Sequence, residues 1–310
     1  MHKRGLSRTL LAALVTVPLL VTGVADTRAE ELPRGLLYFN HLYGVLDADT
    51  AQAIEQSDYL RRFANFELRS TTGAGGRKWT GRYLLGRETY LELFGVGDLP
   101  GSDGTAGAGG LGLSTEHVED LPEVTEELRQ HGVTHPIEVT QTRDFGDGKP
   151  IPWFDSVFTT QRYDAFGAWA MEYRPEYFAD PRSKTEPPSH PGDVGRERYL
   201  PDDYRRHLMR DVTSLRIAVT ARDLANTVPL LRAGDFTVIN HPNGGIIAHS
   251  AGTTIRLEVA PPNQIGLRQV EMSLNRPTGY RHKERIGRST LVVGPCARAV
   301  WTFGNPHGVQ

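Results

Sequence analysis

The stretch YFNHLYGVLDADT, residues 38–50, reads as a buried strand running directly into the start of a helix, with a single histidine, His41, inside the apolar run. Side chains of an extended strand alternate between two faces, so Phe39, His41 and Tyr43 are expected to point one way. The helix is expected over DADTAQAIEQSDYLRRFAN, with Asp47 or Asp49 as its N-cap. Strand-like FELRSTT follows, then a GAGG turn, then KWTGRYLLG and TYLELFG as a hairpin rich in aromatic and branched residues. The unit is therefore strand, helix, three strands, closed by the Gly-rich loop GVGDLPGSDGTAGAGG.

The same order recurs. GLGLSTE reads as a strand, HVEDLPEVTEELRQHG as a helix, and HPIEVTQTRD, PWFDSVFTTQ and GAWAMEY as three more strands. From Arg174 to Tyr204 the chain turns to Pro, Asp, Arg and Ser, the composition of a linker or an ordered crossing loop. A third copy follows in TSLRIAVT, ARDLANTVPLLRAG, FTVINH, GGIIAHSAG and TTIRLEVAP. The last copy keeps only IGLRQVEMSLN, STLVVG and ARAVWTF, three strands with hardly any helix between them, and is degenerate. Repeats at this spacing outrank local propensity in deciding a fold. The expected class is α+β, made of repeated βαβββ units paired into two curled-sheet halves. The first half is expected over 30–174, a linker or crossing loop over 175–210, and the second, degenerate half over 211–310.

The chain has 310 residues, 38% hydrophobic and 23% charged, enough for one large core or two smaller ones. A formal charge of -2 and the lack of a basic stripe with interleaved aromatics argue against nucleic acid as a partner. The first residues, MHKRGLSRTLLAALVTVPLLVTGVADTRAEELP, have a basic start, a short apolar run and small residues suited to cleavage after Ala25 or Ala29. Residues 1–29 are accordingly expected to be a signal peptide, the mature chain secreted or extracytoplasmic and free of the membrane; a retained anchor is the competing reading, weakened by Pro18 and Gly23 within the run. The lone Cys296 excludes an internal disulfide and a cysteine metal cluster.

Units of this order, with a His on the first strand and a Glu in an L-E-L on the last, resemble the vicinal oxygen chelate superfamily of glyoxalases, bleomycin-resistance proteins and extradiol dioxygenases. His41, Val45 or Leu46, and Asp47 match the spacing of that superfamily's first strand, and TYLELF places Glu92 at its ligand position. The paired FNHLY and YLELF are more narrowly similar to an uncharacterised, mostly exported bacterial group of glyoxalase-like proteins. The resemblance implies a divalent metal ion, Zn, Mn, Fe or Ni, held by His41, Glu92 and Glu172, the last of these from GAWAMEY in the second unit. It implies catalytic roles for Glu92 and Glu172, and a small-molecule ligand held among Tyr43, Tyr90 and Phe94. An imidazole and a carboxylate meeting in an aromatic cup do suit a borderline divalent ion, which requires ligating atoms about 3 to 5 Å apart. Glu172 is expected in the cup above Ala168 and Ala170, with Trp169 and Met171 packed on the far side. The first strand of the second unit departs from the pattern, offering only Ser114 where a ligand is expected.

Plainer readings stand beside these. His41 also suits a core histidine satisfied by a backbone carbonyl, and Glu172 a solvent-facing carboxylate paired with Arg174 or Arg162. In the third unit Arg216 stands where a ligand histidine would, which points to a structural or substrate-shaping second half, and His241, His249 and His282 read as solvated. The chain has no G-x-S-x-G, no H-E-x-x-H and no phosphate-loop Lys-Ser/Thr ending, so hydrolase, metalloprotease and nucleotide readings fall away. Two classes remain: a metal-dependent lyase, isomerase or dioxygenase, and a metal-free protein that binds or sequesters a small organic molecule.

Overall fold

A computed structural model describes residues 35–242 and 244–308. The expected signal peptide at 1–29 lies outside the described residues. Strand β1 (Tyr38–Leu46) ends at Asp47, whose carboxylate accepts from the Thr50 amide at 3.0 Å and caps α1 (Ala48–Gln56). The single helix expected here breaks at Ser57, which accepts from the Leu60 amide at 3.1 Å and opens a second helix, α2 (Asp58–Phe63). Strands β2 (Asn65–Thr72), β3 (Lys78–Leu85) and β4 (Tyr90–Gly95) complete the unit. The second unit comprises β5 (Gly109–Ser114), α3 (Leu121–Gln130), β6 (Ile137–Arg143), β7 (Ile151–Phe158) and β8 (Phe166–Tyr173).

A crossing segment with two short helices, α4 (Pro175–Ala179) and α5 (Arg196–Tyr199), leads to the third unit. That unit holds β9 (Met209–Val219), α6 (Ala221–Ala233), β10 (Thr237–Asn240), β11 (Ile246–Ser250) and β12 (Thr253–Val259). The last unit, β13 (Gly266–Thr278), β14 (His282–Ile286), β15 (Ser289–Val293) and β16 (Cys296–Thr302), has no α-helix, as expected. It has four strands rather than the expected three, because RHKERIG forms β14 against β15.

The strands make two eight-stranded sheets of identical plan, β2-β3-β4-β1-β5-β8-β7-β6 and β10-β11-β12-β9-β13-β16-β15-β14. In the first three units the first strand runs parallel to the last, whereas β13 and β16 of the helix-less fourth unit run antiparallel, and the two units of a sheet join through antiparallel β1–β5 or β9–β13. The chain is thus α+β, with three βαβββ units and a helix-less fourth paired into two sheets. Alternation sorts each strand: in β12, Thr253, Ile255 and Leu257 are buried while Thr254, Arg256 and Glu258 are only half-buried. A continuous apolar core includes Leu42 and Leu111 of the first sheet, Ile54, Leu128 and Leu231 of the helices, and Leu215 and Trp301 of the second sheet. Each such side chain withdrawn from water contributes about 1.5 to 3 kcal/mol. Polar staples cross between the halves. The buried Asp223 carboxylate of α6 accepts from the amides of Asp164, Ala165 and Phe166 at 2.7, 3.0 and 3.0 Å, and Asp211 of β9 accepts from the amides of Glu88 and Thr89.

One residue corrects the face assignment in β1. The register against β5 shifts between Phe39 and His41, leaving Asn40 as the extra residue of a β-bulge. Phe39 therefore packs into the helix-side core with Leu42 and Ile54, whereas His41 and Tyr43 face the other way.

Candidate functional site

The concave face of the first sheet is built from β1 outward. The parallel register sets His41 opposite Tyr90 and Tyr43 opposite Glu92, and β3 sets Tyr83 on the other side of Glu92. His41, Tyr43, Tyr90, Glu92 and Phe94 consequently share one face, as alternation on β4 predicts. The imidazole stacks on Tyr90 with centroids 4.6 Å apart, meets Trp169 edge-on at 5.3 Å, and its Nδ1 lies 2.8 Å from Asn40 Oδ1. Asn40 in turn donates to Ser114 Oγ at 3.0 Å and to the Tyr173 hydroxyl at 3.3 Å. Burial holds the His41 imidazole down at about 3, so the ring is neutral.

The room for these rings comes from β5. A Cβ on Gly112 would meet the His41 ring, its Nδ1 at 2.7 Å, and one on Gly110 would meet the rings of Tyr43 and Trp169. The position where a second-unit ligand was expected is thus backbone cleared for aromatic side chains.

Glu92 is half-buried. Desolvation pushes its carboxyl up to about 7, against the opposing pull of the Arg69 guanidinium, the Tyr83 hydroxyl and Arg143. Neither a hydrogen bond nor an ion pair joins it to His41, whose bonded partner is Asn40. The two share a face on neighbouring strands but sit diagonally, offset by one two-residue step of roughly 6.6 Å along the strands and one strand spacing of roughly 4.8 Å across them.

Glu172 lies elsewhere. Its carboxylate accepts from the amides of Glu119 and Leu121, both at 2.9 Å, and from the Thr115 hydroxyl at 3.2 Å, which ties β8 to the start of α3. Burial raises its pKa while those three bonds oppose the rise. The face assignment of β8 is the reverse of that expected: Ala168 and Ala170 belong to the helix-side core, and Trp169, Met171 and Tyr173 line the cup. Small residues allow α6 to approach this strand, and the large rings fill the concave side. Glu172 is paired neither with Arg174, which bonds Asp155 and Glu176, nor with Arg162.

The crossing segment, which reads from its Pro and charge content as a linker or an ordered crossing loop, covers the cup. Tyr199 stacks on Tyr173 at 4.1 Å and reaches Tyr90 at 6.3 Å, Tyr177 lies 6.1 Å from Trp153, and Phe178 packs edge-on against Tyr173. Arg196 pins it there. Its guanidinium donates to the Phe39 carbonyl at 2.7 Å and to Glu116 at 2.5 Å, with Glu88 at 3.4 Å, and lies over the Tyr38 ring. Tyr90 and Phe94 are almost wholly buried, and Phe94 and Tyr43 join a separate small cluster with Val45 and Ala108. Of the three aromatic residues expected to hold a ligand, Tyr43 alone keeps partial exposure.

Open space remains at the mouth, in a cavity of about 730 Å³ between the crossing segment and strands β2 and β6. Its aromatic wall is Phe145, Tyr177 and Tyr199; its cations are Arg69, Arg143, Arg182 and Lys184; its carboxylates are Glu67, Asp147 and Asp203. Arg69 bonds Glu67, and Arg182 bonds Asp147 and Asp180. Among the described residues no ion pair involves Arg143 or Lys184. Arg143 donates to the Tyr177 hydroxyl at 3.3 Å and stacks over Phe145 and Trp153, each 5.1 Å from the guanidinium carbon. A volume in the range of 300–1,000 Å³ is typical of small-molecule sites. No motif signals this cavity in the sequence; the one available hint is the aromatic content of a Pro-rich segment.

The donors do not fit a divalent ion. The Nδ1 bond of His41 to Asn40 leaves Nε2 as its one available ring nitrogen, Glu172 is committed to the α3 terminus, and no group of three or more His, Cys, Asp or Glu side chains among the described residues is arranged to hold a metal. Two further histidines are engaged: His282 bonds Glu284 at 2.9 Å and stacks on Tyr59 beside a smaller cavity of about 400 Å³, and His249 bonds Thr254 at 3.0 Å.

Among solved structures, the chain is similar to a hypothetical protein from Staphylococcus aureus at 11% identity, covering 81% of this chain and 96% of that one, with a TM-score of 0.47. It is similar to a xylose isomerase-like TIM barrel/4-hydroxyphenylpyruvate dioxygenase fusion protein at 10% identity, over 84% of this chain and 47% of that one, with a TM-score of 0.41. A third likeness is to BphC, a halotolerant catechol dioxygenase, at 11% identity over 86% of each chain, with a TM-score of 0.39. No curated protein matches the chain in sequence. The family described as "Family of unknown function (DUF5829)" matches residues 39–303, both sheets almost from end to end, and the chain belongs to that family.

Proposed function

We propose that this chain is an extracytoplasmic protein that binds a small organic molecule without a resident metal, in the cavity at the mouth of its first half. One observation carries the reading: a cavity of about 730 Å³ is walled by tyrosine and phenylalanine rings and by guanidinium groups. Flat apolar faces with a few oriented donors are what a small-molecule site requires. The N-terminal apolar run supports export, and the commitment of Glu172 to the α3 terminus, away from His41, favours the metal-free reading over the lyase, isomerase or dioxygenase reading.

Equilibrium dialysis against Zn²⁺, Mn²⁺, Fe²⁺ and Ni²⁺ in turn, followed by metal analysis, tests the metal-free part. The expected content is far below one equivalent and the same in His41→Ala. A stoichiometric ion that disappears in His41→Ala overturns the reading in favour of a metal enzyme. Binding itself is read from thermal stability, since a ligand present at 100 times its Kd stabilises the native state by about 2.7 kcal/mol.

A further inference from the structure

We propose that the ligand is a planar aromatic monocarboxylate, its carboxylate taken by Arg143 and its ring held among Phe145, Tyr177 and Tyr199. The inference rests on the cavity being the binding site.

The charge of the anion follows from the lining. Four cationic and three carboxylate side chains border the cavity, an excess of one positive charge. The internal pairs Arg69–Glu67 and Arg182–Asp147 satisfy two of the cations and two of the carboxylates; just beyond the lining, Asp180 on Arg182 and Arg206 on Asp203 offset one another, so the excess stays at one positive charge. A single negative charge balances the remainder. A phosphate monoester carries about -1.5 to -2 near neutral pH and would face Glu67, Asp147 and Asp203 with too little positive charge to offset them.

The identity of the anion follows from Arg143. A guanidinium stacked on a ring keeps its N–H groups in the plane, directed outward, and their fork matches the two oxygens of a carboxylate. Arg143 is held in this way over Phe145 and Trp153, and its bond to the Tyr177 hydroxyl uses one of five N–H donors. Arg182 also lies over Phe145, at 4.9 Å, so one ring orients two guanidinium groups on the same wall. The aromatic part of the ligand follows from the rings in the lining, half-buried Phe145 with the more deeply buried Tyr177 and Tyr199, against whose accessible parts a planar ring packs in offset or edge-to-face contact.

The test is calorimetric titration of the mature chain with 2-naphthoate, 2-naphthamide and 2-naphthyl phosphate, repeated in Arg143→Gln. The acid is expected to bind, the amide to bind roughly 10- to 100-fold more weakly, as loss of a charge-assisted hydrogen bond of about 1.5–3 kcal/mol dictates, and the phosphate no better than the acid. Arg143→Gln should weaken the acid by a similar factor and the amide by much less. Equal binding of acid and amide, acid binding untouched by Arg143→Gln, or preference for the phosphate overturns the proposal while leaving the cavity as a binding site. Failure of all three compounds to bind overturns the cavity reading itself. If Arg143→Gln does not fold, the comparison of acid with amide in the unaltered chain decides.

Discussion

The two sheets share a strand order and a register, yet their concave faces hold opposite chemistry. Where β1 and β4 set His41 against Tyr90 and Tyr43 against Glu92, β9 and β12 set Arg216 against Arg256 and Ala218 against Glu258. Arg216 and Glu258, the counterparts of His41 and Glu92, form an ion pair at 2.7 Å, with 48% and 32% of their side chains exposed. A long guanidinium spans the step along the strand that an imidazole leaves open. On β13, Gln269 stands opposite Arg216, where β5 has Gly112 beneath the His41 ring. Arg298 and Glu271 add a second exposed pair on the same face. The backbone plan therefore does not decide what the face does. The cover decides: one face lies under the aromatic crossing segment, and the other meets solvent with its charges paired.

That contrast predicts a graded set of effects. The largest is expected under the cover. Tyr199→Ala, which removes a buried ring stacked on Tyr173, should cost about 3 to 5 kcal/mol in urea unfolding. A cost below 1 kcal/mol would mean that the segment rests on the cup without sealing it.

Intermediate is Glu92. Its carboxyl is raised from 4.5 to about 7 in the folded chain, so the native state holds the proton more tightly than the unfolded state. Its contribution is therefore greatest at or below pH 4.5 and is lost as pH rises to about 7. His41, lowered from 6.5 to about 3, acts in the reverse sense, with stability lost as pH falls through that range. In Glu92→Gln the decline on the alkaline side should vanish, leaving the variant more stable than the parent at pH 8 by about 1 to 3 kcal/mol. Equal stability of variant and parent at both pH 5 and pH 8 would mean that Glu92 is solvated like its counterpart Glu258.

The smallest effect belongs to the open face. Arg216→Ala should change unfolding free energy by about 0 to 0.5 kcal/mol, the ordinary worth of an exposed pair. A loss above 2 kcal/mol would show that something covers the second sheet as well.

The plan of four units was legible from the sequence because strand and helix periods recur in each, and the loss of helix in the last unit was legible from the closeness of its strands. His41 and Glu92 were legible as residues of one face. What failed was which face, and for two different reasons. On β1 a count by twos is broken by one inserted residue, Asn40, which carries no bulge signature. On β8 alternation separates Ala168, Ala170 and Glu172 from Trp169, Met171 and Tyr173 correctly but is silent on which set meets the helices. The glycines of β5 and the tyrosines of the crossing segment were the available clues, since a ring and a cleared backbone imply one another.

The crossing segment is anchored at both ends, by β8 at Tyr173 and by β9 at Met209, and between them by Arg196. Its tyrosines therefore confront the cup as a tethered occupant, present at an effective concentration that for short linkers is on the order of millimolar. A free molecule seeking the floor around His41 and Tyr90 competes with that resident concentration as well as with its own dilution. Affinity is therefore gained with less competition at the rim, where Arg143 stands, than at the floor.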